Sequence, residues 1–147
     1  MYTVDASVLV NGADTVEAGH EISRACLDAL RDQAQPLILP SLVLAEVAGS
    51  FSRTRDDAAG AVALVEALRR FPTVTLVNLT RVLARNAAAL AAQHRLRGAD
   101  AVYAAVALRA GTTLITRDRE QRERLIRVVP VLSPAEVLEI LRPPPTP

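Results

Sequence analysis

The sequence predicts an α/β fold, a parallel sheet covered by helices on both faces. Two observations predict it. Short apolar, β-prone runs alternate along the chain with longer segments of helical periodicity, as in successive βαβ units. The hydrophobic half of the composition is dominated by Ala, with aromatics at only 3%, which suits closely packed helices better than a sandwich or barrel. At 147 residues there is room for one domain and little more.

Residues 2–4 are a β-prone run ending at Asp5, and residues 6–10 continue apolar. Ile22, Ala25, Cys26, Ala29 and Leu30 recur at helical spacing and predict an amphipathic helix over 16–34, broken by Pro36. Residues 37–39 read as a brief buried strand closed by Pro40, and Ser41 is placed to cap a helix running to about Arg53. Asp56 and Asp57 open the next helix, whose apolar face is Ala61, Leu64, Val65 and Leu68. Residues 74–79 are strand-like. Thr80 then caps a long Ala-rich helix to about Arg97, which Gly98 ends. Residues 100–110 are helical up to Gly111, 112–116 form a strand, 119–126 a short charged helix and 128–132 a last strand. Ser133-Pro134-Ala135-Glu136 combines an N-cap, Pro at the first helical position and an acid two later, a helix start. Residues 143–147 are a Pro-rich tail without the means to pack, expected to be disordered.

Composition narrows the function classes. The longest apolar run, residues 101–108, falls far short of the roughly 18 needed to span a bilayer. No basic residue precedes Arg24, so no secretory signal is predicted, and a cytoplasmic protein is expected. Cys26 is the only cysteine, which excludes an intrachain disulfide and reads as a small buried hydrophobe. The net charge of +1 hides an asymmetry: residues 1–74 carry 6 Arg against 10 acids, residues 75–147 carry 11 Arg against 6. All basic residues are Arg. Two readings stay open, a coding bias that leaves a solvated charged face and a basic half that contacts phosphate.

Four acids stand out by their positions. Asp5 and Asp118 end strands and therefore point toward one edge of a parallel sheet, where such folds bind ligands. Glu46 and Asp100 lie beside apolar helical stretches, 42–48 and 101–108, where an uncompensated charge is costly. Each has a local alternative: Asp5 and Asp118 as caps of the helices that follow, Asp100 as a first-turn acid, Glu46 facing solvent. Together they suggest one acidic cluster. Each close pair costs about 4 kcal/mol at an effective dielectric of roughly 20 without a cation, and such hard oxygen donors select Mg²⁺ or Mn²⁺.

The segments Val4-Asp5-Ala6-Ser7, Leu44-Ala45-Glu46-Val47, Arg97-Gly98-Ala99-Asp100-Ala101-Val102-Tyr103-Ala104-Ala105 and Leu114-Ile115-Thr116-Arg117-Asp118 share a further property. In this order and spacing the chain resembles PIN domains, in particular the VapC-type toxins of bacterial toxin–antitoxin pairs. The resemblance implies a PIN-like, Rossmann-like α/β/α domain over residues 1–142 and a metal-dependent endoribonuclease. It implies Asp5, Glu46, Asp100 and Asp118 as the catalytic and metal-holding acids, with Thr116 and Ser7 as accessory groups. Many relatives carry a further acid just after the position of Asp118. Here the stretch is Arg119-Glu120-Gln121, which leaves one or two bound ions open. The resemblance also implies a cognate antitoxin, laid over the apolar face of the N-terminal helices and obstructing the site, and a homodimer.

The chemistry so implied is hydrolysis of an RNA phosphodiester by a metal-activated water, with no His needed as base. His20 and His94 read as structural residues on exposed helix faces. Candidate RNA contacts are Arg81 and Arg85, one turn apart, together with Arg117, Arg119, Arg122, Arg124 and Arg127. Glu120 and Glu123 are equally placed to pair with the late arginines. The 87–92 Ala run suits either a dimer interface or a tight core. A haloacid-dehalogenase phosphatase wants a second acid at position 7, which is Ser, and a receiver domain wants a late Lys, which the chain lacks. There is no Gly-rich phosphate loop. From another class, the competing reading is a non-catalytic PIN-like binding module that sequesters a partner or joins a repressor complex.

Overall fold

In the computed structural model, which describes residues 1–142, five short strands form one sheet: β1 (Tyr2–Val4), β2 (Leu37–Pro40), β3 (Val74–Val77), β4 (Thr113–Ile115) and β5 (Val131–Leu132). The Pro-rich 143–147 tail lies outside the described residues. The strand order is β3-β2-β1-β4-β5 and every neighbouring pair is parallel, the α/β architecture expected. Among the described residues the connections hold seven helices and an eighth follows β5: α1 (Ala6–Ala13), α2 (His20–Asp32), α3 (Val43–Arg55), α4 (Ala58–Arg69), α5 (Arg81–His94), α6 (Gly98–Ala110), α7 (Arg119–Leu125) and α8 (Pro134–Leu141). None is long and apolar enough to cross a membrane.

The chain leaves β1 toward β2 and β3, then jumps back to β4 on the other side of β1. Right-handed crossovers put α1–α4 on one face and α5–α6 on the other. The reversal between β1 and β4 opens a crevice at their carboxyl ends. Thr3 and Thr112 hydroxyls pair at 2.7 Å beneath it, and Thr3 also donates to the Ile38 carbonyl at 2.8 Å, so the polar atoms inside β1 are satisfied. Helix α6 lies on β1, β2 and β4 and is covered by α5. Residues 101–107 are therefore buried on every side, and small Ala side chains there let the two layers approach.

Several boundaries differ from the sequence reading, each for a physical reason. Residues 6–10 belong to α1, a short helix buried along most of its length that follows β1 with only Asp5 between them. Residues 14–19 form turns closed by Gly19 at φ +82°, so α2 starts at His20 rather than 16. Its buried face is Ser23, Cys26 and Leu30, while Ile22 and Ala25 face solvent. Cys26 is the buried small hydrophobe predicted. Ser41 does not cap α3: its N–H still donates to the Val77 carbonyl across the sheet, at 2.8 Å, and Leu42 is the cap position. Helix α5 ends at Arg95 in a left-handed conformation, and Gly98 opens α6 instead of ending α5. The Ser133–Glu136 capping box is formed as predicted. In the 87–92 run, Ala87 and Leu90 pack inward while Ala88, Ala89 and Ala92 face out.

Candidate active site

Four helices begin at the carboxyl edge of the sheet, and each brings one acid to it. Asp5 follows β1 directly and caps α1, its side chain accepting the Ser7 N–H at 3.2 Å and a hydrogen bond from the Ser7 hydroxyl. Asp118 follows β4 and caps α7, accepting the Gln121 N–H at 3.0 Å. Asp100 stands in the first turn of α6 and Glu46 in the first turn of α3. The capping roles open in the sequence are thus realised for Asp5 and Asp118, and they aim the carboxylates rather than compete with a site. All four helix dipoles present their positive ends to this edge, which favours acids there.

The four carboxylates line one open cleft of about 460 Å³, with Ser7, Ser50, Arg53 and Arg97 on its walls. Buried Thr116 lies beneath. Its hydroxyl accepts the Asp118 N–H at 3.1 Å, which fixes the backbone that carries this acid, and lies 3.5 Å from Asp5 Oδ2. Tyr103, fully buried, donates its hydroxyl to Glu46 Oε2 at 2.7 Å.

Burial, reinforced by neighbouring charge, raises the proton affinities of three of the acids. Burial pushes the Asp100 carboxyl up to about 6, with the charges of Asp5 and Asp118 adding and Arg97 opposing. Burial also raises Asp5, against the hydrogen bonds from Ser7 and with a contribution from Asp118. It raises Glu46 too, with the Tyr103 bond opposing and Asp5 and Asp100 reinforcing. An all-oxygen, multiply anionic donor set of this kind fits a hard divalent ion. Among the described residues no three His, Cys, Asp or Glu side chains are closed around one point, so the acids share a cleft rather than a finished cage.

The arginines predicted as RNA contacts are placed differently from one another. Arg81 and Arg85 are exposed on α5, outside the cleft lining. Arg117 donates to Glu17 at 2.8 Å and to the Ala18 carbonyl at 2.9 Å, tying down the turn between α1 and α2. Arg119 pairs with Glu123, and Glu120 pairs with Arg124 and stays out of the cleft lining. His20 and His94 are half-buried rather than exposed, and His20 Nδ1 bonds the Asn11 carbonyl at 2.9 Å. Sequence reasoning missed Ser50, Arg53, Arg97 and Tyr103 as site residues. Helical spacing from the chosen acids held the signal: Ser50 and Arg53 lie four and seven residues after Glu46, and Arg97 and Tyr103 lie three to either side of Asp100.

Residues 2–125 match the PIN domain family. The chain belongs to that family. Solved structures share the PIN fold along nearly the whole chain. The protein PAE2754 from Pyrobaculum aerophilum is 21% identical, with 95% of this chain and 93% of that one covered at a TM-score of 0.70. VapC20 from Mycobacterium tuberculosis, a toxin that cleaves the sarcin–ricin loop, is 21% identical over 84% of this chain and 94% of its own, at 0.71. FitAcB from Neisseria gonorrhoeae is 22% identical over 91% and 98%, at 0.68. No curated protein sequence matches this PIN domain.

Proposed function

We propose that this PIN domain is a metal-dependent endoribonuclease of the cytoplasm and the toxin of a toxin–antitoxin pair. The observation that carries the reading is the convergence of Asp5, Glu46, Asp100 and Asp118 on one cleft at the β1–β4 crevice. Those four carboxylates would hold Mg²⁺ or Mn²⁺. A bound divalent ion supplies the acidity that makes water a nucleophile at neutral pH and offsets charge on phosphate oxygens. The protein's own residues do the positioning. Thr116 anchors the Asp118 backbone, Ser7 holds the Asp5 carboxylate, and Tyr103 holds Glu46. Hydrolysis then adds water across one P–O bond of an RNA strand placed in the cleft. Arg81 and Arg85, exposed on α5, would extend the path of the backbone beyond it.

The antitoxin partner has a surface that suits it. An apolar groove runs between α1–α2 and α3–α4, lined by Leu9, Leu27, Val47, Leu64, Leu68 and Phe71. An amphipathic helix fits such a groove. VapC20 and structures described as toxin–antitoxin complexes share the fold, which favours this reading. A homodimer is part of the proposal, with the outward small residues of α5 and Val82, 65% exposed, as the face that a second copy would cover. Expression in a bacterial host tests the toxin assignment: growth should arrest with the wild type and continue with Asp118→Asn. Cleavage of single-stranded RNA in Mg²⁺ or Mn²⁺, absent in chelator, tests the chemistry. Stable RNA binding without cleavage under either metal would favour the binding-module alternative.

A further inference from the structure

The cleft that gathers four carboxylates also holds two guanidinium groups that no acid has captured. Arg53 stands on α3 two turns after Glu46, and Arg97 stands at the cap position of α6, three residues before Asp100. The two therefore occupy different walls of the cleft. Among the described residues neither makes an ion pair or a side-chain hydrogen bond, although ten other arginines, Arg55 and Arg117 among them, are paired. Arg97 is close enough to Asp100 to favour its charged form, yet stays out of contact with it.

A glycine shapes the approach of Arg53. A Cβ at Gly49, one turn earlier on α3, would lie 3.0 Å from Arg53 Nη1 and 4.0 Å from its guanidinium carbon. The side chain is thus folded back along the helix toward the cleft, over the bare backbone of Gly49. Glycine inside a helix lowers helix propensity, and Gly49 has ordinary helical φ, so backbone conformation does not demand it. It does leave room for the Arg53 guanidinium.

We propose that Arg53 and Arg97 form a two-sided phosphate grip, each taking an oxygen pair of the RNA backbone beside the bond to be cut. This rests on the ribonuclease reading and deepens it. A polyanion entering a cleft of four carboxylates meets repulsion, and guanidinium groups on the walls counter it where the strand enters. The planar fork of Arg suits bidentate contact with phosphate. Backbone contacts of this kind position the strand without reading its bases.

The test is binding of a short fluorescent single-stranded RNA by anisotropy across a salt series, with Ca²⁺ replacing Mg²⁺ to slow hydrolysis and strand integrity checked on a gel. KM and kcat are measured separately in Mg²⁺. Arg53→Gln and Arg97→Gln should each weaken binding roughly tenfold on every sequence tried and flatten the log–log salt slope by about 0.7. KM should rise more than kcat falls. Arg109→Gln, at the opposite end of α6, should change neither. Wild-type-like binding and KM in both cleft variants, beside a wild type that cleaves RNA, would overturn the grip and leave the ribonuclease reading standing. A wild type that neither binds nor cleaves RNA would overturn both. Circular dichroism of each variant should match the wild type, since both arginines are exposed. If one variant proves misfolded, the other together with Arg53→Lys or Arg97→Lys decides: retained charge without the fork should restore part of the lost affinity.

Discussion

The Tyr103 hydroxyl donates to Glu46 Oε2 at 2.7 Å, joining α6 to α3 across the floor of the cleft, 57 residues apart in sequence. The bond favours the charged form of Glu46, against burial and the charges of Asp5 and Asp100. The phenol itself is driven well above its usual range by burial and by Glu46, so it remains a donor at every working pH. Tyr103→Phe leaves a half-buried carboxylate without its partner, at a cost of about 1–3 kcal/mol. Cleavage should fall roughly tenfold, chiefly in kcat, and the acid limb of the pH–rate profile should move upward as Glu46 becomes harder to ionise. A profile superimposable on the wild type would remove Tyr103 from the positioning of the site.

Asp100 makes the metal-free protein sensitive to pH. Its carboxyl is held at about 6 against an ordinary 3.8, so the folded state binds the proton more tightly than the unfolded chain. The resulting stability is fully present below pH 3.8 and is lost as pH rises through about 6. Asp5 and Glu46, shifted in the same direction, add to it, whereas lowered Glu17 and Glu136 act oppositely at the acid end. Without metal, stability should therefore decline between about pH 4 and 6, by about 1 kcal/mol for Asp100 after solvent screening of a half-exposed group. Asp100→Asn should flatten that decline. Urea unfolding in chelator across the range measures it, and an equal slope in both proteins would mean that the Asp100 carboxyl is not raised in the folded state.

Divalent metal should reverse the same effect at neutral pH. Mg²⁺ or Mn²⁺ at a hundredfold excess over its dissociation constant should stabilise the wild type by about 2.7 kcal/mol. Asp100→Asn and Asp118→Asn should each be more stable than the wild type without metal, gain less from it, and lose RNA cleavage. For Asp118 the gain in stability is a net one, because Asn preserves the α7 cap to the Gln121 N–H while losing some attraction to the helix dipole. Thermal unfolding with and without each ion gives the comparison. A wild type indifferent to both ions would sink the metal cluster.

Arg81 and Arg85 lie outside the cleft but exposed and one turn apart on α5. If the RNA backbone continues over that face, replacing both with Gln should flatten the salt dependence of binding by about 1.4 in slope and leave kcat unchanged. An unaltered slope would assign the pair to a solvated helix surface.

Much of this architecture could be read from the chain. The strands were visible as short apolar runs because both faces of a parallel sheet are covered, and the order of elements carried the α/β class. Asp5 and Asp118 could be assigned to one edge because parallel strands all end there, so a strand-end acid has a known direction before any contact is known. Local capping at Asp57, Thr80, Asp118 and Ser133 was equally legible, since each cap bonds within three residues of itself. Helix α1 was not, because it is only eight residues long and continues the apolar run of β1 with a single residue, Asp5, between them. The fate of the arginines was decided by the tertiary structure alone. Arg117 finds Glu17 across 100 residues and Arg55 finds Asp14, whereas Arg53 and Arg97 share a cleft with four acids and, among the described residues, pair with none. Sequence records that a charge is present, but its partner is set by which distant elements the crossovers bring side by side, and so is its freedom to bind anything else.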